Sequence, residues 1–116
     1  MQRVLVLGDD ECIRVSCAEV LRSLGMEGVT FPAGGAGPAP DVVLVWDGLE
    51  RDLRCASAAY PTVPVVVCTY DHRRPWPGTA AVVALPFDGR RLASALLQVI
   101  RATSRSSRPR PTVRAA

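Results

Sequence analysis

The hydrophobic positions of the chain fall into two kinds of pattern. In RVLVLGDD (residues 3–10), DVVLVWD (41–47) and VPVVVCTYD (63–71) they are nearly continuous, and each run ends on acids or hydroxyls. Short unbroken apolar runs mark strands covered on both faces, as in a parallel sheet, whereas a strand with one wet face alternates. AAVVALP (80–86) predicts a further strand of this kind and GMEGVTF (25–31) a weaker one. Between the strands the apolar positions recur at helical spacing. Ile13, Val15, Ala18, Val20, Leu21 and Leu24 predict a helix over 12–24, with Gly25 as its stop. Leu49, Leu53 and Ala56 predict a second over 49–60, which Pro61 helps to end. Leu92, Ala95, Leu96, Val99 and Ile100 predict an amphipathic third over 89–102.

Two segments between elements, PAGGAGPAP (32–40) and HRRPWPG (72–78), hold too much proline and glycine for a helix and read as loops. The polar, proline-interrupted end, TSRSSRPRPTVRAA (103–116), cannot bury a core and is expected to be disordered. The expectation is one folded domain over 1–102 and an Arg-rich tail over 103–116.

Apolar strands alternating with helices imply an α/β fold with a parallel sheet and right-handed crossovers. Ligands of such sheets bind at the carboxyl ends of the strands. That rule brings Gly8, Asp9, Asp10, Asp47, Thr69 and Tyr70 to one edge, because each lies where a strong strand ends. Carboxylates gathered there suit a hard divalent ion such as Mg2+, and one of them can act as a nucleophile toward a phosphoryl group. The alternative is structural, since acids and glycine also end buried strands simply as turn formers.

Composition narrows the chemistry. The 116 residues fit one hydrophobic core, no apolar run approaches the length of a membrane span, and the first residues lack the apolar stretch of a signal peptide, so a cytoplasmic protein is expected. Cys12, Cys17, Cys55 and Cys68 show no CxxC spacing and only His72 is available beside them, which disfavours zinc; the thiols are expected to be buried structural residues. All 14 basic residues are arginine, so no lysine amine is available to any mechanism. Residues 1–100 carry 9 arginines against 11 acids, while residues 101–116 carry 5 arginines and no acid, so the net positive charge belongs to the tail. That tail either contacts phosphates of a nucleic acid or serves as a solubilising linker; no aromatic interleaves its arginines, which makes nucleic acid the poorer reading. Neither GxGxxG nor a P-loop follows the first strand, and GDDE would repel a pyrophosphate.

In order along the chain, VLVLGDDECIR, DVVLVWD, PVVVCTY and VVALPFDGRRLASAL resemble the receiver domain of bacterial response regulators over residues 3–102. The resemblance implies a flavodoxin-like (CheY-like) three-layer sandwich, with a five-stranded parallel sheet of order 2-1-3-4-5. It places Asp47 on the phosphoacceptor, Thr69 on the hydroxyl that responds to the phosphoryl group, and Pro86 on the proline that follows the fifth strand, with Phe87 and Asp88 after it. It also implies Mg2+ held by Asp9, Asp10 and Asp47. Departures accompany it. Gly8 stands at one of the two acidic positions, Leu85 at the lysine, and Tyr70 at a residue that is usually small. Glu50 lies three residues after Asp47 in a segment without the usual Pro-Gly, and the two Pro-rich loops fall where the family has its second and fourth helices, which are expected to be shortened or lost. Arg90 and Arg91 are the arginines considered as substitutes for the lysine.

Two functional readings follow. In one, the chain is a pseudo-receiver, an interaction module without enzymatic activity whose output does not depend on phosphorylation. In the other, a histidine kinase phosphorylates Asp47. Either way the expected partner is a protein, a histidine kinase or a downstream signalling protein. Trp76, between Pro75 and Pro77, and Tyr70 are the candidate contact residues. Trp76 has a second possible role, covering the gap left by a missing helix.

Overall fold

The computed structural model describes residues 2–30, 39–47, 50–71, 73–85 and 88–107. Strands β1 (Arg3–Leu7), β2 (Glu27–Val29), β3 (Val42–Trp46), β4 (Val65–Thr69) and β5 (Ala81–Ala84) alternate with helices α1 (Glu11–Ser23), α2 (Glu50–Ala59) and α3 (Gly89–Ser107). All four strand pairings are parallel and the sheet order is β2-β1-β3-β4-β5, the flavodoxin-like arrangement the sequence predicts.

Strand parity divides the core into two layers. Val4, Val6, Val42, Leu44, Val66 and Cys68 face one side, where Cys17 and Leu21 of α1 and Leu92, Leu96 and Val99 of α3 close over them. Leu5, Val43, Val45 and Val65 face the other side, against Ala56 of α2 with Leu53 and Tyr60 at its margin. Each central strand therefore buries side chains in both directions, which explains why its sequence is apolar without alternation. At the outer side of the sheet Arg3 and Glu27 are register partners and also an ion pair at 3.2 Å.

The helices differ from expectation in detail. On α1 the inward face is Cys17, Ala18 and Leu21, while Val15 and the C-cap Leu24 are exposed, outside the stripe that faces the core. The third helix runs to Ser107, five residues past its expected end, so 103–107 belong to it rather than to a disordered tail. Its polar last turns contain no proline before Pro109, and nothing in that stretch interrupts the backbone ladder. Residues 70–71 and 73–80 form turns where the fourth helix is expected to be missing. Residues 31–38, which include most of the other Pro-rich loop, Gly48, Leu49, His72, Pro86, Phe87 and 108–116 lie outside the described residues. Among the described residues no helix is long and apolar enough to cross a membrane.

The thiols divide evenly, contrary to the expectation of four buried residues: Cys17 and Cys68 are buried and Cys12 and Cys55 are exposed. Burial pushes the Cys17 thiol up to about 11 and the Cys68 thiol up to about 12, the latter also through the neighbouring Cys17. Because the folded values lie above the ordinary 9.0, the neutral thiols stabilise the fold fully below pH 9, and that contribution is lost as the pH rises from 9 through the folded values. A disulfide reagent at pH 8 is expected to modify two of the four cysteines in the native protein and all four in urea, with urea stability falling only above pH 9. At Gly28 on β2 an added Cβ would lie 2.6 Å from the Cα of Ala18 and 2.8 Å from its Cβ. Gly28→Ala is therefore expected to lower stability by about 1–3 kcal/mol, read as a lower urea midpoint at unchanged slope.

Candidate functional site

The registers Leu7 with Val45 and Trp46 with Cys68 bring the carboxyl ends of β1, β3 and β4 level at one edge of the sheet. There the chain leaves the core for water. Asp47 continues the β3 ladder by one bond, its N–H donating to the Cys68 carbonyl at 2.6 Å, and then turns with φ 64°. That left-handed conformation is one that aspartate and asparagine accept more readily than other side chains. The Asp47 carboxylate is exposed at the mouth of a cleft of about 460 Å3, lined by Asp47, Glu50, Thr69, Tyr70, Asp71, Arg74 and Trp76.

The far wall of the cleft is the turn after β4, and it hangs from Thr69. Thr69 is only 2% exposed, and its Oγ1 accepts the Asp71 N–H at 3.0 Å while its carbonyl accepts the Leu85 N–H at 2.9 Å. The Asp71 carbonyl in turn accepts the Arg74 N–H at 3.2 Å and the Trp76 indole N–H at 3.1 Å. Thr79 donates its hydroxyl to the Trp76 carbonyl at 2.6 Å. Trp76 is thus half-buried and tied down, and the Arg74 guanidinium stacks 4.5 Å from its ring centroid. Trp76 lines the cleft together with Arg74, Tyr70 and Asp71. Tyr70, 67% exposed, lies beside it.

Opposite these groups, the acids after β1 are already engaged. Asp10 is the N-cap of α1, its Oδ1 accepting the N–H groups of Cys12 at 2.9 Å and Ile13 at 3.3 Å. An N-cap of this kind contributes about 1 kcal/mol to its helix. Asp9 pairs with Arg51, from the first turn of α2. Among the described residues no three His, Cys, Asp or Glu side chains converge as metal ligands would. Asp9, Asp10 and Asp47 thus share an edge without forming the expected set of ligands. Position 8 is crowded: a Cβ on Gly8 would meet the Trp46 Cβ at 3.1 Å, and Arg14 donates to the Gly8 carbonyl.

Leu85, at the position of the lysine, is 7% exposed and packs into the larger core layer. Arg90 and Arg91 are exposed on the first turn of α3, and neither lines the cleft. The cation in the cleft is Arg74, which the sequence reading passed over. The signal for it was faint: an arginine two residues before a tryptophan, inside a loop otherwise notable for proline.

No family profile matches the sequence, and no curated protein matches it. Solved structures match its fold. The chain is 16% identical to a response-regulator receiver domain from Clostridium thermocellum, covering 91% of this chain and 99% of that one at a TM-score of 0.71. It is 22% identical to the receiver domain of a Pseudomonas aeruginosa sensor histidine kinase, solved with a magnesium ion in its active-site cleft, with 86% and 98% covered and a TM-score of 0.68. With NtrX from Brucella abortus, solved in complex with ADP, it shares 22% identity at a TM-score of 0.70 over 91% of this chain, and it spans only 28% of the length of NtrX. The fold is that of a receiver domain.

Removing the Thr69 hydroxyl should release the turn it anchors. In Thr69→Val the Asp71 amide is expected to exchange with solvent up to about tenfold faster, the loss of one hydrogen bond of roughly 0.5–1.5 kcal/mol. The β4 amides should keep their protection, and Thr69→Ser should restore that of Asp71.

Proposed function

We propose that the chain is a receiver-fold signalling module that acts by contact with another protein, with an output independent of phosphorylation. The observation that carries this reading is the engagement of the acids. Asp9 is held by Arg51 and Asp10 by the start of α1, and among the described residues no three candidate ligands converge beside Asp47. This donor set does not fit a Mg2+ ion of the kind seen in the Pseudomonas receiver, since divalent magnesium takes oxygen ligands in near-octahedral geometry and needs carboxylates free to turn toward it. Leu85 points the same way, because a core leucine offers no charge to a phosphoryl group.

The contact surface in this reading is the turn after β4. Trp76, Pro75 and Pro77 form one wall of a groove of about 530 Å3, and Leu53 and Ala58 of α2 form the other. A fixed aromatic flanked by prolines loses little conformational entropy on binding, which suits an interface anchor. The partner is a histidine kinase or a downstream signalling protein, and the site of action is the cytoplasm.

A second reading is favoured by Arg74. Its guanidinium lines the same cleft as Asp47 and Thr69, where a cation would steady phosphoryl oxygens if Asp47 accepted phosphate from a histidine kinase. Amide NMR separates the two. With Mg2+ and then beryllofluoride added, the first reading expects the Asp9, Asp47 and Thr69 resonances to stay where they are. Shifts at those residues that disappear in Asp47→Asn would instead establish Asp47 as a phosphoacceptor.

A further inference from the structure

We infer that Arg51 is a built-in cation that takes the place of a divalent metal at the acidic edge and keeps the edge closed to one. This rests on the reading of the site as metal-independent and adds the device that makes it so. Arg51 projects from the first turn of α2 and reaches Asp9, 42 residues earlier in the chain, so its guanidinium crosses from the helix after β3 to the loop after β1. Its Nη2 engages Asp9 Oδ1, and its Nε lies 4.0 Å from Asp52 Oδ1.

The two carboxylates play different parts. Asp52 is the anchor: its side chain is only 13% exposed, and its Oδ2 is buried without a hydrogen-bond donor. A carboxylate largely withdrawn from water gains more from a neighbouring positive charge than an exposed one does. Asp9 is the target, two-thirds exposed and on the strand-end loop next to Gly8. An exposed ion pair alone contributes little, up to about 1 kcal/mol. A tethered guanidinium, however, competes with a free ion at the high effective concentration of an intramolecular ligand. Mg2+ also gives up its water reluctantly, and among the described residues no three carboxylates converge on one point. A modest pair is then enough to weaken a competing metal severalfold.

Arg54 supplies the comparison. It carries the same charge one turn further along α2, but pairs with Glu50 of its own helix at 3.3 Å. The experiment is a titration of the 15N-labelled protein with Mn2+, followed by paramagnetic broadening of amide signals, on the wild type, Arg51→Gln, Arg54→Gln and the double variant Asp9→Asn/Arg51→Gln. Both arginines are exposed, and retained amide dispersion verifies the fold. Arg51→Gln is expected to show broadening at Asp9 and Asp47 at a Mn2+ concentration up to about fivefold below that of the wild type, with the gain absent from Arg54→Gln and abolished in the double variant. Equal responses in Arg51→Gln and Arg54→Gln would reduce the effect to net charge and overturn the inference. No gain in Arg51→Gln, with the wild type also silent, would overturn it while leaving the metal-independent reading in place. Broadening of the wild type as strong as that of Arg51→Gln would overturn both.

Discussion

Burial of β3 on both faces is the constraint from which the rest of the molecule follows. Val42, Val43, Leu44 and Val45 are fully buried, and the strand is hydrogen-bonded on one side to β1 and on the other to β4. A backbone in that position has no access to water, so it must stay in the ladder until the core ends. It leaves one residue later, through the Asp47 N–H bond to Cys68 and the left-handed turn at Asp47. The carboxylate is at the edge because the strand has to stop there. A turn residue and a cleft residue are in this case the same residue.

Electrostatics at that edge are governed by arginine. With no lysine in the sequence, every fixed positive side chain has a planar guanidinium, which stacks on aromatics and forks between carboxylates. Arg74 does the first over Trp76, and Arg51 does the second between Asp9 and Asp52. A helix start satisfies Asp10. The acids on the β1 side of the site therefore find their partners within the chain, while on the cleft side Asp47, Glu50 and Asp71 line the same space as the Arg74 guanidinium.

Much of this was legible in the sequence, for physical reasons that differ from part to part. Unbroken apolar runs named the buried strands, and the alternation with helical spacing named the parallel sheet, because covering both faces of a strand leaves no other pattern. The edge residues followed, since a strand end is visible as the place where apolar residues stop. Which acids would be free was not legible. The pairing of Asp9 with Arg51 depends on α2 bringing the Arg51 side chain within reach of the loop after β1, a relation between residues 42 positions apart that no local pattern records. Arg74 was overlooked for a similar reason: its place in the cleft is set by the hydrogen bonds that fold the turn back on Asp71. The end of α3 was misjudged because a polar face at a helix terminus has the composition of a disordered tail.

The suspension of the turn from Thr69 has a consequence for the direction in which information travels. Thr69 Oγ1 accepts the Asp71 N–H and the Asp71 carbonyl accepts the Trp76 indole N–H, so Asp71 links the buried end of β4 to the surface through two hydrogen bonds. Coupling between two binding events is reciprocal in free energy. Any coupling that this linkage carries between Trp76 and the cleft is therefore equal in both directions. The loop joins the cleft to the surface without assigning either end as the input.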